Sequence, residues 1–346
     1  MLPCVAQAPG SSGETRRLSG RPLLLAALAL VLLIQALFVL SYVGALHHPK
    51  PHEVAFGVVG SSPLPVAVGK QFSFKVSRYS DEAAVRSAID HRKVDGAFVA
   101  GPGGGTLIVV PAASSAGAVA LGTAFGAAAA ALGQKLTVVQ VHRLPAGDGS
   151  GNVSFLVVMA LILGGYLAST IGMVFGGSAT RRGRLASLAV ASVFGALLTD
   201  VFAGPVLGAV PTSKFLVLWG LFVLVMTAVA YATAALQTVL GPAGTLIVVV
   251  VFIVFGAPAS GGTVPSAYLP GFWRTFGPYL PAGAGTTAVR NTLYFDGNAI
   301  TKSLLILSGY LVAGALVVIA VRRRRAGGPT TEAEAEASVA AGTIVV

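Results

Sequence analysis

The chain has 346 residues, 55% of them hydrophobic and only 10% charged, with a mean hydropathy of +0.82 and a formal net charge of +11. This balance excludes an ordinary soluble globular protein, and a single cysteine, Cys4, excludes a disulfide framework or a cysteine-rich metal site. The basic residues lie in short clusters beside apolar runs and in one polar stretch, so the charge reads as membrane orientation and no nucleic-acid partner is expected.

Residues 1–22 read as an N-terminal tail. The first apolar run, Leu23 to Leu46, is interrupted only by Gln35 and Ser41 and meets the ~20 residues that a bilayer core requires. Val43-Gly44-Ala45 resembles a signal-peptidase site, but the run exceeds the ~7–15 residues of a usual signal core, and an uncleaved anchor over 23–46 is expected.

The region 47–150 reads as a small α/β domain. Glu53–Val59 and Gln71–Val76 look like strands, and Ser80-Asp81-Glu82 can cap a helix running to about Lys93. Gly96–Ala100 and Thr106–Val110 are again strand-like about a Gly/Pro turn, followed by a helix over Ser114–Leu132 and a strand over Lys135–Val141. The Ala/Gly-rich run Ala112–Leu132 is almost uncharged, but alanine inserts weakly into membranes, so it is assigned to the domain.

Several signals in this region carry no chemistry. The turn Gly101 to Thr106 lacks the Lys-Ser/Thr and following helix of a phosphate loop. His47, His48, His52 and Glu53 are separated by Pro49 and Pro51 and have no helical ligand spacing, so no metal is expected. Asp81, Glu82, Asp90 and Asp95 read as a solvated helix face and its turn. No catalytic arrangement and no cofactor are expected, and the chain does not read as an enzyme.

Five further spans follow within 151–322: Val153–Phe175, Leu185–Leu207, Phe215–Leu236, Ala243–Ala257 and Leu304–Val321. The expected fold class is therefore a polytopic α-helical membrane protein of six transmembrane helices, with the small α/β domain between the first and second. Three basic clusters, Arg16/Arg17/Arg21, Arg181/Arg182/Arg184 and Arg322–Arg325, are separated by even numbers of spans. The positive-inside rule then places both termini in the cytoplasm, the α/β domain outside, and a multi-pass protein in the cell membrane. Residues 323–346 read as a disordered cytoplasmic tail.

Within the spans Asp200 is the one carboxylate, and an ionisable group at membrane depth is a functional candidate. It follows Arg184 by roughly 24 Å of helix, toward the outer end of its span, and is read as a transport or interface residue. Gly164, Gly165, Ala168, Gly172, Gly176 and Gly177 form a small-residue stripe suited to close helix packing or a dimer face. The loop 258–303 is rich in Gly, Pro and aromatics. Within it Ala284–Phe295 is expected to form an amphipathic helix along the outer surface, where Arg290 pairs with a lipid phosphate, with Asp296, or with nothing.

Two stretches carry a family resemblance. Ser80 to Pro111 contains DEAAVRSAIDHRKVDGAFVAGPGGGTLIVVP, and Gly277 to Gly297 reads GPYLPAGAGTTAVRNTLYFDG. With the order of anchor, outer domain and five grouped spans, they make the chain similar to the ATP-binding-cassette type 2 permeases, within them the phage infection protein-like branch. The resemblance implies a subunit of a homodimer or heterodimer in contact with membrane lipids, exporting lipidic or amphipathic cargo and powered by a separate nucleotide-binding ATPase. Asp95, Gly96, Pro281, Arg290, Tyr294, Phe295 and Gly297 match as fold-determining positions, and Arg181, Arg182 and Arg184 form the candidate coupling loop. One departure is that Gly176–Arg184 is short and lacks a Glu-rich coupling passage. The competing expectation is a membrane-anchored envelope or receptor protein whose outer domain binds a surface partner.

Overall fold

The computed structural model describes residues 20–47, 49–176 and 180–321. Arg16, Arg17, His48, Gly177, the Arg322–Arg325 cluster and the tail 323–346 lie outside them. Helix α1 spans Gly20–Leu46 and packs beside the region of the fifth apolar segment. Most of its large apolar side chains, such as Leu25, Leu32 and Leu40, remain exposed, as suits a helix whose surroundings are lipid.

The α/β domain is built on a five-stranded sheet. Strand β1 (Val54–Val59) leads to helix α2 (Leu64–Phe72), strand β2 (Phe74–Tyr79), helix α3 (Glu82–Asp90) and strand β3 (Gly96–Gly101). Strand β4 (Gly104–Val109), helix α4 (Ser115–Ala131) and strand β5 (Lys135–Gln140) complete it. The spatial order is β2-β1-β3-β4-β5, parallel except for the β3–β4 hairpin. That hairpin turns through Pro102-Gly103, with Gly103 at φ +70°, a backbone that suits glycine.

Strand periodicity divides the core between two faces. Phe56, Val58, Phe98, Leu107 and Val109 face α2 and α4, where Leu64, Val68, Leu121, Phe125 and Ala129 meet them. Ala97, Ile108 and Val110 face α3, where Val85, Ala88 and Ile89 pack. Asp81 caps α3 by accepting from the Ala84 amide at 2.8 Å. That bond and the one from the Ser80 hydroxyl hold its carboxyl below the usual carboxylate range.

One strand expectation is corrected. Gln71 and Phe72 belong to α2, and the following strand begins at Phe74. The reversal falls at Ser73, which takes the left-handed conformation at φ 46° as the α2 C-cap. Phe72 supports the sheet from the helix while Phe74 stacks from the strand, 4.4 Å from Phe56.

Helices α5 (Val153–Phe175), α6 (Arg181–Val201) and α7 (Phe215–Leu240) follow. The fifth apolar segment is assembled from α8 (Pro242–Val248), a π-helical stretch Val249–Phe255 and α9 (Gly256–Ala259). After short helix α10 (Gly271–Phe276) come α11 (Pro281–Tyr294) and α12 (Thr301–Ala320). Six helical segments are long and apolar enough to cross a membrane, a mostly helical architecture that fits membrane insertion. Helix α7 is central, packing against α5, α6, α11 and α12, and 56% of its most apolar window is buried against 22% for the sixth segment.

Helix α11 corrects a second expectation. It does not lie along a surface. From Pro281 to Leu293 all its residues but Thr287 are buried, between α5, α7 and α12. Its N-terminal half, Pro-Ala-Gly-Ala-Gly, is small enough for backbones to approach closely. A Cβ on Gly283 would stand 2.1 Å from the Gly277 carbonyl oxygen.

Candidate functional site

The chemistry-bearing side chains collect where α11 meets the α/β domain. Arg290 projects from α11 and donates from Nη1 to the Gly261 carbonyl at 2.8 Å and from Nη2 to the Gly262 carbonyl at 2.7 Å. It is 9% exposed, and among the described residues it is the only buried basic side chain. Burial, then the like charge of Arg92, lowers its pKa to about 10, so it remains a cation near neutrality. Of the alternatives left open for Arg290, the pair with Asp296 does not form: two backbone carbonyls take the guanidinium, and Asp296 takes Lys214.

That second pair closes the far end of α11. Lys214 Nζ donates to the Thr292 and Leu293 carbonyls at 2.8 and 3.2 Å and to Asp296 Oδ1 at 2.9 Å. The last carbonyls of a helix have no partners within it and carry its negative end, so an ammonium here both caps and neutralises them. The Gly297 amide returns to the Asn291 carbonyl, with Gly297 at φ +79°.

Beyond α11, Phe295 is buried in the α3 side of the domain core. The His142 ring lies 4.6 Å from it, and the Arg92 guanidinium stands 4.6 Å from its centroid. Next to it, the Tyr294 hydroxyl donates to Asp148, whose other oxygen accepts the Asn152 and Val153 amides at the start of α5. Burial, then the Asp148 carboxylate, pushes the Tyr294 phenol far above its ordinary pKa, which keeps it a neutral donor. Helix α11 is thereby tied to the domain and to two helices of the bundle.

A cavity of about 180 Å³ opens beside this joint. Its walls include Arg92 and Asp95 of the domain, Ser114 and Gly117 at the start of α4, Tyr268, and Arg290. Arg92 pairs with Asp95 at 3.1 Å. The buried Tyr268 hydroxyl and Arg290 Nε have no protein hydrogen-bond partner. Burial, then the Asp95 charge, raises Tyr268 to about 12, so it too stays protonated.

The remaining sequence candidates lie elsewhere. Asp200 is 1% exposed near the end of α6, just before a π-helical stretch Phe202–Val206 that contains Pro205. It is enclosed by the bundle, with Oδ2 lacking a protein partner.

The basic cluster expected in a loop is corrected to the first turn of α6, capped by Thr180. Arg181 donates to the Ile319 carbonyl at 2.9 Å and Arg184 to Gln237 Oε1 at 2.8 Å, while Arg182 is exposed. Gln237 is a buried hub that also accepts from Ser169 and donates to Thr170 and Thr245. Sequence reasoning passed over Gln237, Lys214 and Asp148, and read Tyr268 only as one of the aromatic anchors of the outer loop. A lone amide at the end of an apolar span was a usable signal for Gln237; Lys214 and Asp148 are defined only by partners distant in the chain.

Among the described residues no group of three or more His, Cys, Asp or Glu is placed to hold a metal ion. No protein-family model matches the chain, and no curated protein matches it.

Proposed function

We propose that this chain is the membrane subunit of an exporter for lipidic or amphipathic cargo, resembling the ATP-binding-cassette type 2 permeases and driven by a separate ATPase. In this reading it sits in the cell membrane as a dimer with both termini in the cytoplasm and the α/β domain outside. The observation that carries the proposal is the position of α11. An anchor has no need of a helix buried among its spans, whereas a machine that moves cargo needs its exterior domain coupled to the bundle. Here Arg290 grips the loop after the fifth apolar segment while Phe295 is fixed in the domain core. π-helical turns in two segments, one beside buried Asp200, are the kind of irregularity that recurs at functional positions.

The test is co-purification of the tagged chain from its native host, with mass spectrometry of its associates and an ATP-hydrolysis assay. A nucleotide-binding subunit whose hydrolysis depends on this chain is the expected result. Recovery of a surface partner and no ATPase would replace the proposal with the envelope or receptor reading.

A further inference from the structure

The cavity at the joint has the chemistry of a receptor for an anion. Arg290 is buried, and its two observed bonds go to neutral carbonyls, so no carboxylate contacts its charge. A guanidinium has five N–H donors, and its Nε is buried without a protein partner. A buried charge without a bonded counter-ion is costly, and a buried unpaired donor adds to that cost.

Three further features point the same way. The Tyr268 hydroxyl is a second buried donor without a protein acceptor on the same wall. Arg92 brings another guanidinium to the wall, paired with Asp95, while Asp148 and Asp95 act on Arg290 only through space and neither bonds to it. The seventeen-residue helix α4 starts at the cavity with Ser114, Gly117 and Ala118; its Gly117 and Ala118 amides are taken by Ser114, so it adds the positive end of its dipole through space. Val54, Val110 and Leu121 add an apolar wall, and Ser260, Ser266 and Thr287 add hydroxyls.

We infer that this cavity binds one phosphate-type oxyanion, held by Arg290 and Tyr268 beside the start of α4, as a free ion or as the headgroup of an acidic phospholipid. The oxyanion neutralises Arg290 and takes the tyrosine proton as a hydrogen bond, joining the α/β domain to α11. This assignment does not depend on the exporter reading, because an anchored receptor would keep the same joint.

The full-length chain is reconstituted in phosphatidylcholine nanodiscs and titrated with radiolabelled inorganic phosphate. In parallel, native mass spectrometry follows retention of phosphatidylglycerol from mixed-lipid discs. Saturable binding of one phosphate per chain assigns the free ion, and retention of one phosphatidylglycerol without phosphate binding assigns the headgroup. In either case Tyr268→Phe should weaken binding about tenfold, the value of a hydrogen bond to a charged group. Ala118→Leu should abolish it by filling the cavity, and Lys302→Ala, which removes a surface cation elsewhere, should leave it unchanged. Unfolding midpoints of the variants verify that the chain remains folded. No saturable binding of either probe, or binding that Tyr268→Phe and Ala118→Leu leave intact, would overturn the assignment.

Discussion

Arg92, in the turn after α3, holds its guanidinium carbon 4.6 Å from the ring centroid of Phe295, the residue that follows α11. A cation over an aromatic face adds about 0.5–2 kcal/mol to the burial of the ring. The contact joins two segments that are distant in the chain, and with His142 on the same ring it makes Phe295 the apolar pin between domain and bundle.

Removing that pin should be among the costliest single changes in the molecule. Phe295→Ala is expected to destabilise by about 3–5 kcal/mol, from lost transfer energy and the remaining cavity. Amide exchange in α3 and α11 should rise together. Faster exchange in α11 alone would show that the domain does not depend on this residue.

The small-residue stripe of α5 is predicted to be unequal along its length. A Cβ on Gly165 would stand 2.6 Å from the Met226 carbonyl oxygen, whereas one on Gly172 meets nothing within 4 Å. Gly165→Ala should therefore cost about 1–3 kcal/mol by forcing α5 from α7. Gly172→Ala should be neutral, or stabilising by up to about 1 kcal/mol through helix propensity. Thermal unfolding in detergent of both variants checks the contrast.

The basic cluster at the start of α6 divides into structural and exposed members. Gln237→Leu should cost about 1–3 kcal/mol, because Arg184 and Ser169 both lose their shared acceptor. Arg182→Ala, at an exposed position, should change stability by less than about 0.5 kcal/mol. If the chain engages an ATPase, Arg182→Ala with unchanged unfolding but lower stimulated hydrolysis would assign it to coupling. Arg184→Ala would lower both and report only on packing.

Acid should loosen the end of α11. The hydrogen bond from Lys214, then its charge, holds the Asp296 carboxyl below its ordinary value of 3.8. A folded pKa below the unfolded one gives stability that is present above the ordinary value and is lost as pH falls through the lowered one. Asp296 is largely exposed, so the contribution is at most about 1 kcal/mol after solvent screening. Unfolding midpoints from about pH 6 down to pH 2 should fall less for Asp296→Asn than for the parent chain. Parallel curves would show that the pair adds nothing.

The sequence by itself determined the elements whose signal is local. Long apolar runs marked the six membrane-length helices, because a bilayer asks only for length and apolarity, and Val153–Phe175 matches to the residue. Alternating side chains, the Asp81 cap and the Gly/Pro turn likewise marked most of the α/β domain. Tertiary structure decided where the polar residues of the last loop go. Arg290, Thr292 and Asn291 look solvent-facing in sequence, which gives α11 the pattern of a surface helix. Their buried state follows from acceptors and packing surfaces contributed elsewhere, such as the Gly261 and Gly262 carbonyls for Arg290. Gln237 tells the same story through Arg184, and exposed Asp296 finds its partner Lys214 also far along the chain. Composition and periodicity record whether a residue is polar; whether it meets water or a partner depends on which distant segment folds against it.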